Sequence, residues 1–168
     1  MKSSACAAAL AILGTFGLAG CAPQGSPVAS APAAYREDSR AEPISDKDAL
    51  HKRIAHYARL YDIPESLIHR SIRRESNYNP AARHGPYWGL MQIRHDTARS
   101  MGYQGPADGL LDADINLAFA VPYLANAYKV GGGDESRAIK LYAGGYYHEA
   151  KRKRMLDQLV TSVQFNEH

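Results

Sequence analysis

Apolar positions along the chain fall into a series of helical stripes separated by short polar breaks. Leu50, Ile54, Tyr57, Ala58 and Tyr61 recur at three- and four-residue spacing, which predicts a helix that buries one face. Ser45-Asp46-Lys47-Asp48 supplies its start, with Ser45 as the cap and two acidic residues in the first turn. Asp62-Ile63-Pro64 interrupts the pattern. Pro64 then opens a second helix with Leu67, Ile68 and Ile72 inward, ending near Glu75 and before Asn77-Tyr78-Asn79-Pro80. Residues 84–89, rich in Gly and Pro, read as a turn or short hairpin, and 96–101 as a further helix. Asp112 or Asp114 starts a helix through Ile115, Ala118, Phe119, Val121, Tyr123, Leu124 and Ala127. Its apolar residues cover nearly every face, so it is expected at the centre of the core, bent at Pro122. Gly131-Gly132-Gly133 stops it, and Asp134 restarts a helix to about Tyr142. A last helix from about His148 presents Met155, Leu159 and Val163 to the core. No repeat and no strand alternation is evident, so the expected fold is all-α, with at most a minor β hairpin. Its single core is built from about 124 residues, enough to fold without staples.

The first 44 residues read differently. Residues 1–20 carry one Lys and then a small, apolar run from Ala5 to Leu18. That run is shorter than the roughly 20 residues a bilayer span needs and fits a secretory signal peptide. Leu18-Ala19-Gly20-Cys21 resembles a bacterial lipobox. The resemblance implies cleavage before Cys21, diacylation of its thiol and acylation of the new amine. Several acyl chains, at about 0.8 kcal/mol per buried methylene, make a stable anchor. Ala22 follows where Asp is absent, which in Gram-negative lipoproteins resembles an outer-membrane address. Residues 22–44 hold no helical or strand period and are rich in Ala, Pro and Ser, as a tether is. Such a segment reaches on the order of 70 Å as polyproline II and about 25–30 Å as a coil. The expected organisation is a signal peptide over 1–20, a lipidated Cys and tether over 21–44, and a folded domain over 45–168. It places the domain on the periplasmic face of the outer membrane.

Composition adds exclusions. Twenty Lys and Arg against 17 Asp and Glu give a net charge of +3, far below a dedicated nucleic-acid binder, so no nucleic-acid partner is expected. Two cysteines, Cys6 and Cys21, exclude a disulfide framework and a thiolate metal cage. Asp112-Ala113-Asp114-Ile115-Asn116 begins like a calcium loop, but Leu117 replaces the needed Gly and Tyr123 the bidentate Glu. His148-Glu149 lacks the second His of a zincin, and no other His pair has metal-ligand spacing. Neither a metal nor an organic cofactor is expected. Lys151-Arg152-Lys153-Arg154 reads as a solvated helix face.

One constellation remains. Glu75-Ser76-Asn77-Tyr78-Asn79-Pro80 puts a carboxylate at a helix end, where it can face a cleft. Fourteen residues on comes Gly89-Leu90-Met91-Gln92-Ile93, whose glycine permits close backbone approach and whose Gln92 offers donor and acceptor. With Asn116 followed by Tyr123-Leu124, and Leu141-Tyr142-Ala143-Gly144-Gly145 last, the set resembles the soluble lytic transglycosylase family, relatives of goose-type lysozyme. The family's motifs are Glu-Ser-x-aromatic-x-Pro, Gly-Leu-Met-Gln, Asn-x₆-Tyr-Leu and Ala-Tyr-Asn-x-Gly, in that order. The resemblance covers about residues 65–145. Ala143 departs from it, standing where the family usually has Asn.

The resemblance implies a lysozyme-like fold and cleavage of the β-1,4 bond between N-acetylmuramic acid and N-acetylglucosamine in peptidoglycan. It implies Glu75 as the catalytic acid, Ser76 as its orienting neighbour, and Met91 and Gln92 as lining of the glycan groove. Tyr142 is then a hydroxyl close to the carboxylate. Tyr78 and Met91 are expected as apolar walls around Glu75. Arg73 and Arg74, adjacent on a helix, point different ways and need not suppress its pKa. Tyr146 and Tyr147 fit either sugar stacking or packing. The rival readings are a lysozyme-like hydrolase and a non-catalytic peptidoglycan-binding lipoprotein, the latter supported by Ala143 alone. A partner in secretion or cell-wall machinery is left unidentified.

The lipobox generates a direct test. Cys21→Ala is expected to abolish labelling by a radioactive fatty acid and to leave the precursor uncut and outside the acylated membrane fraction. Equal labelling of mutant and wild type would sink the lipobox.

Overall fold

A computed structural model describes residues 46–162. The signal segment, Cys21, the tether, the Ser45 cap and Val163 all lie outside the described residues. The chain folds as helices α1 (Asp46–Leu60), α2 (Glu65–Glu75), α3 (His95–Ser100), α4 (Ala113–Val130), α5 (Glu135–Gly144) and α6 (Tyr147–Arg152). Strands β1 (Arg83–His84), β2 (Tyr87–Trp88) and β3 (Ile93–Arg94) form a small antiparallel sheet between α2 and α3 in sequence. The helical expectation holds. The hairpin also holds, but it gains a third strand that two residues of sequence could not announce.

Helix α4 is the axis of the core. Leu117, Ala120, Val121, Leu124, Ala127 and Val130 are fully buried, and α1 and α5 pack against it. Asp112 caps it, accepting from the N–H groups of Asp114 (2.8 Å) and Ile115 (3.0 Å). The carboxylate of Asp114 pairs with Arg53 of α1 at 2.7 Å. The acidic pair that opens like a calcium loop is thus spent on a cap and a helix–helix tie. The helix continues through Pro122, which is itself buried. In α2, Leu67, Ile68 and Ile72 are fully buried, and Pro64 sits one residue before the helix.

The last expected helix is shorter than its pattern suggested. α6 ends at Arg152, and Arg154 takes a left-handed φ of 56°. A short 3-10 turn, Leu156–Gln158, follows. Lys151 to Arg154 are all exposed, while Leu156, Leu159 and Val160 are half-buried against the core. The chain turns, and Lys153 donates to the Val130 carbonyl at 2.6 Å, capping the end of α4. Asn126 then holds the final segment against α4. Its Oδ1 accepts from the Val160 N–H (2.9 Å) and its Nδ2 donates to the Val160 carbonyl (2.8 Å). Among the described residues no helix is long and apolar enough to cross a membrane.

A second buried amide joins three elements. Asn116, fully buried on α4, donates through Nδ2 to the carbonyls of Trp88 (2.9 Å) and Leu110 (2.7 Å). Its Oδ1 accepts from the Met91 N–H at 2.9 Å. Asn116→Ala strands three buried backbone groups, each worth about 1–3 kcal/mol when unpaired, so a loss of about 3 kcal/mol or more is expected in urea unfolding. Asp112→Ala removes only a cap and is expected to cost about 1 kcal/mol. Equal costs for the two would show that Asn116 carries no special weight.

Candidate active site

The cleft is built where α2 ends. Ser76 leaves helical geometry at φ −137°, and Asn77 and Tyr78 then take left-handed values of 49° and 66°. Such positions are strained for residues other than glycine, Asn tolerating them best. Tyr78 is held there from behind, its hydroxyl 2.8 Å from His69 Nδ1 on α2. This sharp exit leaves the Glu75 side chain free to face away from the core.

Residues 88–92 form the opposing loop, and three elements clamp it. Asn116 holds it from α4 as described. Ser76 Oγ donates to the Leu90 carbonyl at 2.7 Å, and the hydroxyl of Tyr142 on α5 donates to the Met91 carbonyl at 2.9 Å. Gly89, at φ 72°, must be glycine, because a Cβ there would overlap the Leu110 carbonyl and the Asn116 amide. Gln92, buried and at φ 48°, donates through Nε2 to the carbonyls of Ala82 (3.0 Å) and Gly89 (2.8 Å).

Between these elements lies a cleft of about 570 Å³. Glu75, Gln92 and Tyr142 line it, together with Tyr123 and the hairpin residues His84 and Tyr87. Glu75 is the one carboxylate lining it among the described residues, and its side chain is 22% exposed. Burial raises the pKa of Glu75 above its ordinary 4.5, against a smaller lowering by Arg74, whose Nε lies 3.6 Å away. Arg74 therefore does reach the carboxylate, contrary to the expectation from helical divergence, because the end of the helix lets its long side chain fold back. Desolvation still outweighs it. The hydroxyl of Tyr142 is pushed well above its ordinary range by burial and then by the negative charge of Glu75, so it stays protonated and donates to Met91. Asp96 is exposed and held below its ordinary range by hydrogen bonds from Arg94, and it is not part of the cleft lining.

Several expected site residues act differently from their forecast. Met91 is fully buried, so its side chain packs in the core and cannot touch a glycan; its backbone N–H and carbonyl are what the loop uses. Ser76 makes its close bond to Leu90, so it positions the helix end against the loop, not the carboxylate directly. Gln92 lines the cleft, but its amide nitrogen is committed to two carbonyls. Tyr78 faces the other side of α2, in a separate groove with His51 and Arg73. Tyr146 packs on Tyr123 with ring centroids 4.7 Å apart and its hydroxyl accepts from Asn126, while Tyr147 is 56% exposed and outside the cleft. Ala143 lines the cleft, where its methyl offers no amide to a ligand. His84 and Tyr87 had no signal beyond lying next to Gly89 in a predicted hairpin.

The family model of the transglycosylase SLT domain matches residues 52–161, from within α1 through the cleft to the Asn126-bound final segment. No solved structure matches the chain.

A carboxyl with a raised folded pKa binds its proton more tightly folded than unfolded, so stability falls as pH rises from 4.5 through the folded value. Glu75→Gln removes that penalty. It is expected to be at least as stable as wild type at neutral pH in urea unfolding, with any gain disappearing below the ordinary glutamate range. A marked loss of stability at neutral pH would mean that the carboxylate holds the fold together.

Proposed function

The chain belongs to the transglycosylase SLT domain family, whose substrate class is peptidoglycan, and from that premise we propose that it is a lytic transglycosylase with Glu75 as its acid and base. The observation that carries this reading is a single, desolvated carboxyl in the cleft with no second carboxylate lining it among the described residues. Glycoside cleavage needs a proton on the leaving oxygen, and a carboxyl with a raised pKa can hold one near neutral pH. Two-carboxylate hydrolases need a nucleophile or base on the other face of the sugar. With one carboxylate, the muramic acid's own acetamido group supports the positive centre at C1.

Glu75 gives its proton to the glycosidic oxygen as the C1–O bond between N-acetylmuramic acid and N-acetylglucosamine breaks. The carboxylate then takes the proton of the C6 hydroxyl as that oxygen bonds to C1. The product is a 1,6-anhydro ring, no water is consumed, and Glu75 ends protonated as it began. The internal nucleophile competes well because a well-oriented intramolecular group has an effective molarity far above that of bulk reactants. Tyr142 and Asn116 hold the loop that walls the cleft, so they act by positioning. The lipobox adds the proposal that Cys21 anchors the domain on the periplasmic face of the outer membrane, within tether's reach of the wall.

Sacculi digested by the purified protein are expected to release products ending in 1,6-anhydro-N-acetylmuramic acid, about 18 Da lighter than reducing ends because no water is added. Glu75→Gln, folded by circular dichroism, is expected to lower turnover by at least about 10²–10⁴-fold. Predominantly reducible ends would point to a water-using hydrolase. Binding to sacculi without release would point to a wall-binding lipoprotein, and Ala143→Asn would then be the first reversion to assay.

A further inference from the structure

The hairpin tip brings a second proton-carrying side chain into the cleft, and the hydrogen bonds behind it fix where its proton sits. Gln92 Nε2 lies 3.0 Å from the Ala82 carbonyl and 2.8 Å from the Gly89 carbonyl. Carbonyls only accept, so this end of the amide must be the nitrogen, and Oε1 must be the end that faces His84. His84 Nδ1 lies 2.8 Å from that oxygen. An amide oxygen only accepts, so Nδ1 must carry the hydrogen. Gln92 is buried at a left-handed φ and has all three of these partners, so rotating the amide would cost two hydrogen bonds to gain none. Neutral His84 is therefore held as the Nδ1–H tautomer. Its Nε2 is left with a bare lone pair and no protein partner among the described residues, on an exposed ring that lines the cleft with Glu75.

We propose that His84 is a substrate-binding residue of this cleft, accepting through Nε2 a hydrogen bond from an O–H or N–H group of the glycan strand. This rests on the reading of the cleft as a glycan site and adds to it a directional requirement: the partner must be a donor, a sugar hydroxyl or an acetamido N–H. Gln92, conspicuous in the motif, serves this by orienting His84 and not by offering its own amide nitrogen to the ligand.

The first test reads the ring directly. In ¹⁵N-labelled full-length protein above neutral pH, with His84 assigned by its absence in His84→Asn, long-range ¹H–¹⁵N correlation is expected to show Nδ1–H and a bare Nε2. An Nε2–H tautomer would overturn the proposal. Adding soluble uncrosslinked glycan strands to the Glu75→Gln protein, which prevents turnover, is expected to move the Nε2 resonance as it gains a hydrogen bond. No movement, with the strands bound, would overturn the proposal even if wild type cleaves sacculi. Movement in a protein that cleaves nothing would uphold it while sinking the transglycosylase reading.

Two substitutions separate direct contact from support of Gln92. Asn at position 84 carries an amide nitrogen as many bonds from the backbone as Nδ1, so it can keep the bond to Gln92 while deleting Nε2. Gln carries its amide as far out as Nε2, so it can keep the cleft acceptor while losing the inner bond. His84→Asn is expected to raise KM on glycan strands by about tenfold with kcat within about twofold, the loss of one hydrogen bond. His84→Gln is expected to stay within about threefold of wild type in KM. An unchanged KM in His84→Asn, or equal losses in both variants, would overturn the proposal.

Discussion

The side chain of Asn116 is the constraint on which the cleft depends. It is a fully buried amide that spends both ends on backbone groups of other segments, and a buried amide left unpaired is expensive. Through it the central helix grips the Trp88 carbonyl and the Met91 N–H, and so sets the depth at which the loop 88–92 lies. Gly89 answers the same constraint from the other side, since backbone passes so near Asn116 and Leu110 that no Cβ fits. Ser76 and Tyr142 then join the same loop to the end of α2 and to α5. The carboxylate-bearing helix, the loop and the far wall are thereby fixed relative to one another by hydrogen bonds whose loss would each strand a buried group. That is preorganisation by polar satisfaction, not by packing alone.

The electrostatics of Glu75 follow from this framework. The loop and the Tyr142 wall remove water from the carboxyl and raise its pKa, while Arg74 at 3.6 Å opposes the change. The balance favours desolvation because Arg74 is itself half exposed, where solvent screens its charge. Strain is spent in the same place. Gln92, in the cleft wall, and Asn77 and Tyr78, at the turn just after Glu75, sit at positive φ, and hydrogen bonds hold Gln92 and Tyr78 there.

The charged residues near the cleft are otherwise occupied. Arg94 is taken by Asp96 in a two-pronged bond, and Arg83 lies 4.0 Å over the Trp88 ring. At the far end of the domain Glu149 gathers Arg137, Arg152 and Lys153, so part of the basic run that reads as a solvated face is tied down. What remains facing the cleft is the Glu75 carboxyl with Arg74 beside it, one imidazole and aromatic hydroxyls, a set suited to proton transfer and to polar ligands.

The sequence by itself determined the helices and singled out Glu75 as the carboxylate of the motif. Periodicity is a local property, so the stripes of α1, α2 and α4, a start of α4 at Asp112 or Asp114, the Asp134 start and the Gly131 stop were legible without a fold. Glu75 was legible because its motif sits at a helix end, a position defined by neighbours in the chain. The third strand was not, since two residues carry no period, and neither was the early end of α6, which Lys153 and Asn126 decide through contacts with α4. Motif membership could not distinguish residues that face a ligand from residues that hold those that do. Met91, Ser76 and Asn116 share motifs with Glu75, yet burial and hydrogen-bond partners make them supports of the cleft. His84, outside every motif, is brought to the cleft by the hairpin, and the fixed Gln92 amide decides which of its nitrogens is protonated. Which atoms face the ligand is set by tertiary hydrogen bonds between segments far apart in sequence, and no local pattern encodes those.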